Sequence, residues 1–191
     1  MKTVTFDSSI TLDSPIGPIT LKSLGEAVVQ VSLQGFDKPA AETFASQPNP
    51  PAGLTTKPSP VLVRAVKQVG DFFAGKSKTL DFAVEPSGTE FQRAVWSEIA
   101  KVGFGEVISY AEIARRIGRP TSVRAVGGAV GANPVPLVIG CHRILGASSS
   151  ITGYSGGDGL PTKRWLLAFE GIGYRDIPEA RRDAETTIKL E

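Results

Sequence analysis

Apolar residues in the first third of the chain come in short β-branched runs: Val4-Thr5-Phe6, Ile10-Thr11-Leu12, Ile19-Thr20-Leu21 and Val28-Val29-Gln30-Val31-Ser32-Leu33. Pro15-Ile16-Gly17-Pro18 and Leu24-Gly25-Glu26 punctuate them, so the pattern predicts strands joined by tight turns. Residues 37–59 hold five prolines and little apolar pattern, which predicts a surface loop. The period then changes. Leu62, Val66, Val69 and Phe73 fall on one face of a helix over Val61–Phe73, stopped by Gly75. A further strand is expected near Leu80–Val84, before Pro86-Ser87-Gly88 marks the best domain boundary.

Beyond that boundary the chain reads as helical, then glycine-rich, then helical again. Thr89 is placed to cap a helix with Phe91, Val95, Trp96 and Ile99 at core spacing. Ser109-Tyr110-Ala111-Glu112 has the form of a capping box and opens a short helix through Ile117. Gly118-Arg119-Pro120-Thr121 breaks it, and Ser122 starts another through about Ala132, which together make a helix-turn-helix. The second helix carries almost no side chain at Ala125, Gly127, Gly128, Ala129 and Gly131. Glycine costs roughly 0.5–1 kcal/mol in a helix interior, so a close approach to something is expected to favour it there. A last helix over Lys163–Glu170 presents Trp165, Leu166 and Phe169, and the tail from Arg175 is polar. The expected organisation is α/β: a sheet-plus-helix domain over 1–87, a mostly helical domain over 88–175, and a tail over 176–191.

Composition narrows the class without naming it. No apolar run approaches the length of a membrane span, and the first residues lack the apolar core of a signal peptide, so a cytoplasmic protein is expected. One cysteine permits no internal disulfide. One Cys and one His leave a four-ligand zinc site dependent on carboxylates, and no such cluster is apparent. Net charge is +2, made of 0 over residues 1–87, +3 over 88–171 and −1 over 172–191. The excess favours the middle block, but a charge this small fits an ordinary solvated surface equally well.

Candidate chemistry centres on Cys141-His142-Arg143, where the only His adjoins the only Cys. It follows Asn133-Pro134-Val135-Pro136-Leu137-Val138-Ile139-Gly140, which two prolines keep from being helical. A thiol becomes a strong nucleophile when a base takes its proton and nearby dipoles or cations favour the thiolate. In an extended segment neighbours point to opposite faces, so a bridging water or a bend at Gly140 would be needed to connect the pair. A lone Cys is also a common small core residue. Spacing alone leaves both readings open.

The wider set of motifs is more specific. Ile108-Ser109-Tyr110-Ala111-Glu112-Ile113-Ala114, Arg124-Ala125-Val126-Gly127-Gly128-Ala129, Asn133-Pro134-Val135-Pro136, Cys141-His142-Arg143-Ile144, Gly153-Tyr154-Ser155-Gly156-Gly157 and Trp165-Leu166-Leu167-Ala168-Phe169-Glu170-Gly171 occur in one order. This resembles the O6-alkylguanine-DNA alkyltransferases, or methylated-DNA–protein-cysteine methyltransferases. Residues 88–171 carry the resemblance, with a looser match at Asp13-Ser14-Pro15-Ile16-Gly17.

The resemblance implies a ribonuclease-H-like N-terminal domain and a stoichiometric, irreversible DNA repair reaction. An alkyl group would move from O6-alkylguanine, and also O4-alkylthymine, in double-stranded DNA to Cys141, after base flipping. His142 would deprotonate Cys141 through a water, Glu170 would orient the imidazole, and Asn133 would brace the turn. Tyr154 and the Ser155 N–H would hydrogen-bond the guanine, while the Cys141 and Ile144 carbonyls accept from its amine. Pro136 and the glycine-rich segment around Gly156 would wall the pocket. The second helix, from Ser122, would enter the minor groove on its small residues Ala125, Gly127, Gly128 and Ala129. Arg124 would fill the space left by the flipped base, and Tyr110 would press on the phosphate. No cofactor or metal is implied, and the protein would be a monomer in solution, with cooperative DNA binding left open.

Three departures stand out. Gly140 replaces the proline that most relatives carry before the Cys; Asp158-Gly159-Leu160-Pro161-Thr162 is longer than the usual link and borders the pocket; Gly131 stands where some relatives are basic. The main alternative is a non-catalytic alkylated-DNA-binding protein, but such relatives replace the nucleophilic Cys. A regulator fused to an alkyl acceptor would need a Cys-rich metal domain, and a Cys-His hydrolase of another fold would leave the glycine-lined helix unexplained.

Overall fold

In the computed structural model, which describes residues 5–36 and 58–176, Ser8–Leu12 (β1), Ile19–Leu24 (β2) and Ala27–Leu33 (β3) form an antiparallel meander in sequence order. Its turns are set locally. Gly17 takes φ +86 in the first, where the Ser14 hydroxyl donates to the Gly17 carbonyl, and Gly25 takes φ +59 in the two-residue β2–β3 loop. Ile19, Leu21, Val28 and Val31 bury one face. Pro60–Phe73 (α1) packs on that face through Leu62, Ala65, Val69 and Phe72, with Pro60 in its first turn and Gly75 at φ +70 beyond its end. Most of the proline-rich 37–59 segment, the Val4 end of the first run and the tail from residue 177 lie outside the described residues.

The expected strand near Leu80–Val84 does not form. Only an isolated parallel bridge joins Val84 to Val28, through Val28 N–H to the Ala83 carbonyl (2.9 Å) and Glu85 N–H to the Val28 carbonyl (3.0 Å). Further along β3 the edge position belongs to another segment, since the Val31 N–H donates to the Pro134 carbonyl (2.8 Å). Phe82 is still buried, so the run supplies core rather than sheet.

Thr89 caps Glu90–Ala100 (α2) with the full reciprocal box to Gln92. Val95, Trp96 and Ile99 face inward, and the Trp96 indole N–H donates to the Ala129 carbonyl at 2.8 Å. Ile108–Ser109 (β4) leads into Tyr110–Arg116 (α3), where the Ser109 hydroxyl accepts from the Glu112 N–H. The box expected at this cap is only half made, because Glu112 turns its carboxylate to Arg115 and Arg116. Gly118, φ +70, ends α3: its N–H reaches the Arg115 carbonyl and the Arg119 N–H reaches Ala114, the bonding of a Schellman motif. Val123–Gly131 (α4) follows and packs on both α2 and α3.

Ile144–Leu145 (β5) pairs parallel with β4, and Leu160–Phe169 (α5) closes the order. The last helix begins three residues earlier than its apolar spacing suggested, because Pro161 fits a first helical turn. Arg175 is bonded to Ser149 and Ile151, and Asp176 pairs with Arg164, so the tail is held this far. A single cluster of buried residues runs from Ile16 through Trp96 to Leu166, and the aromatic rings of Phe72, Phe73, Phe104, Trp165 and Phe169 join α1 to α5. The N-terminal sheet and the Cys141 segment are thereby parts of one packed body. Among the described residues no helix is long and apolar enough to cross a membrane.

Candidate active site

Cys141-His142-Arg143 form a turn of 3-10 helix rather than an extended strand. Gly140, at φ −67 and ψ 60, bends the chain, with the Cys141 N–H donating to the Ile139 carbonyl at 2.7 Å as in an inverse γ-turn. The Arg143 N–H then reaches the Gly140 carbonyl at 2.9 Å. With about three residues per turn, successive side chains point ~120° apart instead of opposite ways. The bend anticipated at Gly140 is present. Its φ is one a proline adopts, yet a Cβ there would lie 2.9 Å from the Arg143 Nη1 atom, so the glycine leaves room for the guanidinium.

Asn133 ties the preceding loop at both ends: its amide donates to the Ile139 carbonyl (2.8 Å) and its carbonyl oxygen accepts from the Val135 N–H (3.0 Å). His142 is fully buried and its Nε2 lies 2.8 Å from Glu170 Oε1. Arg143 grips the same carboxylate with two hydrogen bonds of 2.9 Å, and gives Nη1 to the Val102 carbonyl; the Gly105 N–H adds a further bond. Burial works against the Glu170 charge, but the His142 and Arg143 hydrogen bonds and charges outweigh it and hold its pKa near 2. Burial likewise pushes the His142 pKa below its ordinary value, against the pull of Glu170. A neutral imidazole beside an acceptor-only carboxylate must place its proton on Nε2. The lone pair is then on Nδ1, which is buried and has no hydrogen-bond partner among the described residues.

Cys141 is buried, and desolvation raises its thiol pKa, with Asn133, Tyr154 and Lys163 opposing the rise. The Tyr154 hydroxyl is also buried, has no oxygen or nitrogen partner, and is pushed well up by burial and by its coupling to Cys141. Lys163 is fully buried; burial lowers its ammonium pKa to about 8 while the Cys141 charge opposes this. Its Nζ donates to the Ile144 carbonyl at 2.6 Å.

A cavity of about 830 Å³ lies alongside, bordered by Tyr110, Arg124, Gly127, Gly131, Tyr154 and Ser155 among others. That volume lies within the range of small-molecule sites. Tyr110 bonds Thr152 through its hydroxyl (2.9 Å), and the Ser155 hydroxyl donates to the Gly131 carbonyl (2.9 Å) while its N–H has no partner among the described residues.

The family model for the DNA-binding domain of 6-O-methylguanine DNA methyltransferase matches residues 90–172. A methylated-DNA–protein-cysteine methyltransferase of Mycolicibacterium paratuberculosis is 41% identical, over 84% of this chain and 90% of that one. The chain belongs to the methylated-DNA–protein-cysteine methyltransferase family. The Haemophilus influenzae methyltransferase is 38% identical over 85% of this chain and 86% of that one. Mycobacterium tuberculosis OGT, solved in complex with DNA, matches at 37% identity with TM-score 0.68, covering 85% of this chain and 92% of that one.

In this member of the family, His142 and Glu170 are bonded to each other, Cys141 shares the turn with His142, and Asn133 braces the loop that leads into it. Tyr154, Ser155, Tyr110, Arg124 and Gly127 share the cavity beside it, whereas Pro136 and Ile144 are buried behind it. The Cys141 and Ile144 carbonyls each already accept one bond, from the Ile144 N–H and Lys163, leaving one lone pair apiece. Arg124, Ala125, Gly128 and Gly131 are exposed, and Cβ atoms added at Gly127, Gly128 or Gly131 would meet nothing within 4 Å. No described residue therefore requires those glycines. Ala129 differs from the sequence expectation: it is buried against Trp96, so its small size serves the core.

Two contributors were missed from sequence. Arg143 was only part of a motif, and Lys163 was read as the start of a helix. Lys163 does carry a signal, since it lies three and four residues before the buried Leu166 and Leu167 on one helical face.

Proposed function

We propose that the protein reverses DNA alkylation directly, taking the alkyl group from O6 of guanine onto Cys141 in a single irreversible turnover. The observation that carries this reading is the buried His142 ring, bonded to Glu170 through Nε2 with its Nδ1 lone pair uncommitted beside the only cysteine. His142 Nδ1 takes the Cys141 proton through a bridging water, and the Glu170 carboxylate stabilises the imidazolium. The sulfur attacks the alkyl carbon, an S–C bond forms, and the C–O6 bond breaks with its electron pair on the base. The departing guanine recovers one proton at N1, so charge balances. The Tyr154 hydroxyl and Ser155 N–H stabilise charge growing on the base. Lys163 and Asn133 favour the thiolate against its burial. A thioether does not regenerate, which makes the reaction stoichiometric.

Double-stranded DNA is the partner on this reading. Helices α3 and α4 act as a helix-turn-helix, the open face of α4 lies in the minor groove, and Arg124 replaces the flipped base. Ser122 starts the groove helix and Tyr110 presses on the backbone. O4-alkylthymine presents the same alkyl–oxygen bond and is a second substrate. The division at residue 88 separates a ribonuclease-H-like N-terminal unit from the reacting one, and the protein works as a monomer in the cytoplasm. A non-catalytic lesion binder is disfavoured by Cys141 itself. Intact-mass measurement after mixing with an O6-methylguanine duplex tests the proposal. One added methyl group, mapped to Cys141, is expected; no gain, or a gain elsewhere, overturns it.

A further inference from the structure

We propose that Asp158 clasps the base-pocket wall to the N-terminal sheet and so biases the site toward small alkyl groups; this rests on the transfer reading above. Asp158 belongs to the lengthened link before α5, and its carboxylate accepts the Phe36 N–H at 2.7 Å, across 122 residues of sequence. One residue earlier, the Gly157 N–H donates to the Leu33 carbonyl at 3.2 Å. The outer edge of β3 thereby holds both sides of the site, because Val31 bonds Pro134 at the root of the Cys141 loop. The separation between the sulfur and the Tyr154–Gly157 wall is fixed by one strand.

The joint is built for this contact. Gly35 takes φ +97, and a Cβ there would lie 2.3 Å from Asp158 Oδ1, so only glycine lets the carboxylate approach. Gly17 is packed as closely, with its Cβ position 1.6 Å from the Gly35 carbonyl oxygen. The clasp is anchored from the other side by the Asp158 N–H, which donates to the hydroxyl of the fully buried Thr162 (3.0 Å). Gly156 rests on Leu33 and on the Tyr154 ring, so a shift of the wall moves the tyrosine. The Asp158–Phe36 bond lies at the exposed surface, so what it contributes is position rather than a large stabilisation. Placement errors of about 1 Å can cost up to ~100-fold in rate. A small methyl group, with few contacts of its own, needs the fixed wall most; a benzyl group needs the wall to yield.

The test compares transfer rates for O6-methylguanine and O6-benzylguanine in the same duplex, by intact mass. Asp158→Ala should slow methyl transfer about tenfold and benzyl transfer less than about twofold, so the methyl-to-benzyl ratio falls roughly fivefold or more. Loss of folded protein alone would scale both rates and leave the ratio unchanged. Asp158→Asn, which keeps the shape and one acceptor oxygen, should give an intermediate ratio. Amide hydrogen exchange at Phe36 and Gly157 should quicken in both variants while β2 stays protected. An unchanged ratio with unchanged exchange overturns the clasp. If the wild-type chain gains no mass from either lesion, the transfer reading falls, and exchange at Phe36 still decides the contact. Should Asp158→Ala fail to fold, the ratio and exchange of Asp158→Asn decide.

Discussion

The relay around Glu170 and the outer face of α4 are built on opposite rules. Glu170 accepts from His142, Arg143 and Gly105, and its two side-chain partners are themselves buried. On α4, Arg124 makes no hydrogen bond or ion pair among the described residues, and the glycines face open space. A reacting group must be held before substrate arrives, because fixed dipoles and positions lower the barrier. A surface that meets a groove must instead leave its contacts unmade. Glycine there forfeits helix stability, which is consistent with selection for shape outside the protein.

The comparison is broken most completely at the sulfur. Cys141→Ala should abolish the mass gain while DNA affinity stays within about threefold of wild type, since no groove-facing residue touches it. Retained transfer in that variant would remove the thiol from the mechanism. Next is Glu170→Ala, which leaves Arg143 as a buried, uncompensated charge; urea titration should register a loss of about 3–5 kcal/mol. Its transfer rate should fall by about a hundredfold or more, because His142 loses the group that sets its tautomer.

The same carboxylate predicts an acid limit. Its folded pKa of about 2 is below the ordinary glutamate value, so its stabilisation is complete above about pH 4.5 and is lost as pH falls toward 2. Glu170→Gln should flatten that part of the stability curve, measured by denaturant titration from pH 5 down.

On the open face the effects separate by substrate. Arg124→Ala should slow repair of duplex O6-methylguanine by about tenfold or more, leave reaction with free O6-benzylguanine unchanged, and alter stability by less than about 0.5 kcal/mol. Equal slowing of both would move Arg124 from the groove into the relay. The smallest and most diagnostic change is Gly128→Leu. It should raise stability by roughly 0.8 kcal/mol through helix propensity while weakening duplex binding several-fold, measured by thermal melts and fluorescence anisotropy. A drop in stability would show that the glycine serves the fold after all.

Local signals were legible in the chain. The Thr89 cap, the α3–α4 break at Gly118 and the core face of α1 depend on residues within a few positions of one another. Cys141-His142 was visible as a pair, but its reactive reading stayed open until the surrounding motifs entered, and Glu170 came only with the resemblance. The Leu80–Val84 run shows the limit from the other side: with Val84 parallel to Val28, residues 80–83 run alongside the β2–β3 turn at residues 24–27, where there is no length of strand edge to pair with.

By itself, the sequence determined the order of helices α1 to α5, the Thr89 cap, the smooth surface of α4 and the single thiol beside the single imidazole, because short-range sterics and periodicity govern those features. The tertiary structure alone decided that Arg143 shares Glu170 with His142, that Lys163 is buried near the sulfur, and that β3 spans both walls of the site. These are contacts between residues 19 to 124 positions apart. Their energies come from burial and charge, which exist only once the segments have been brought together.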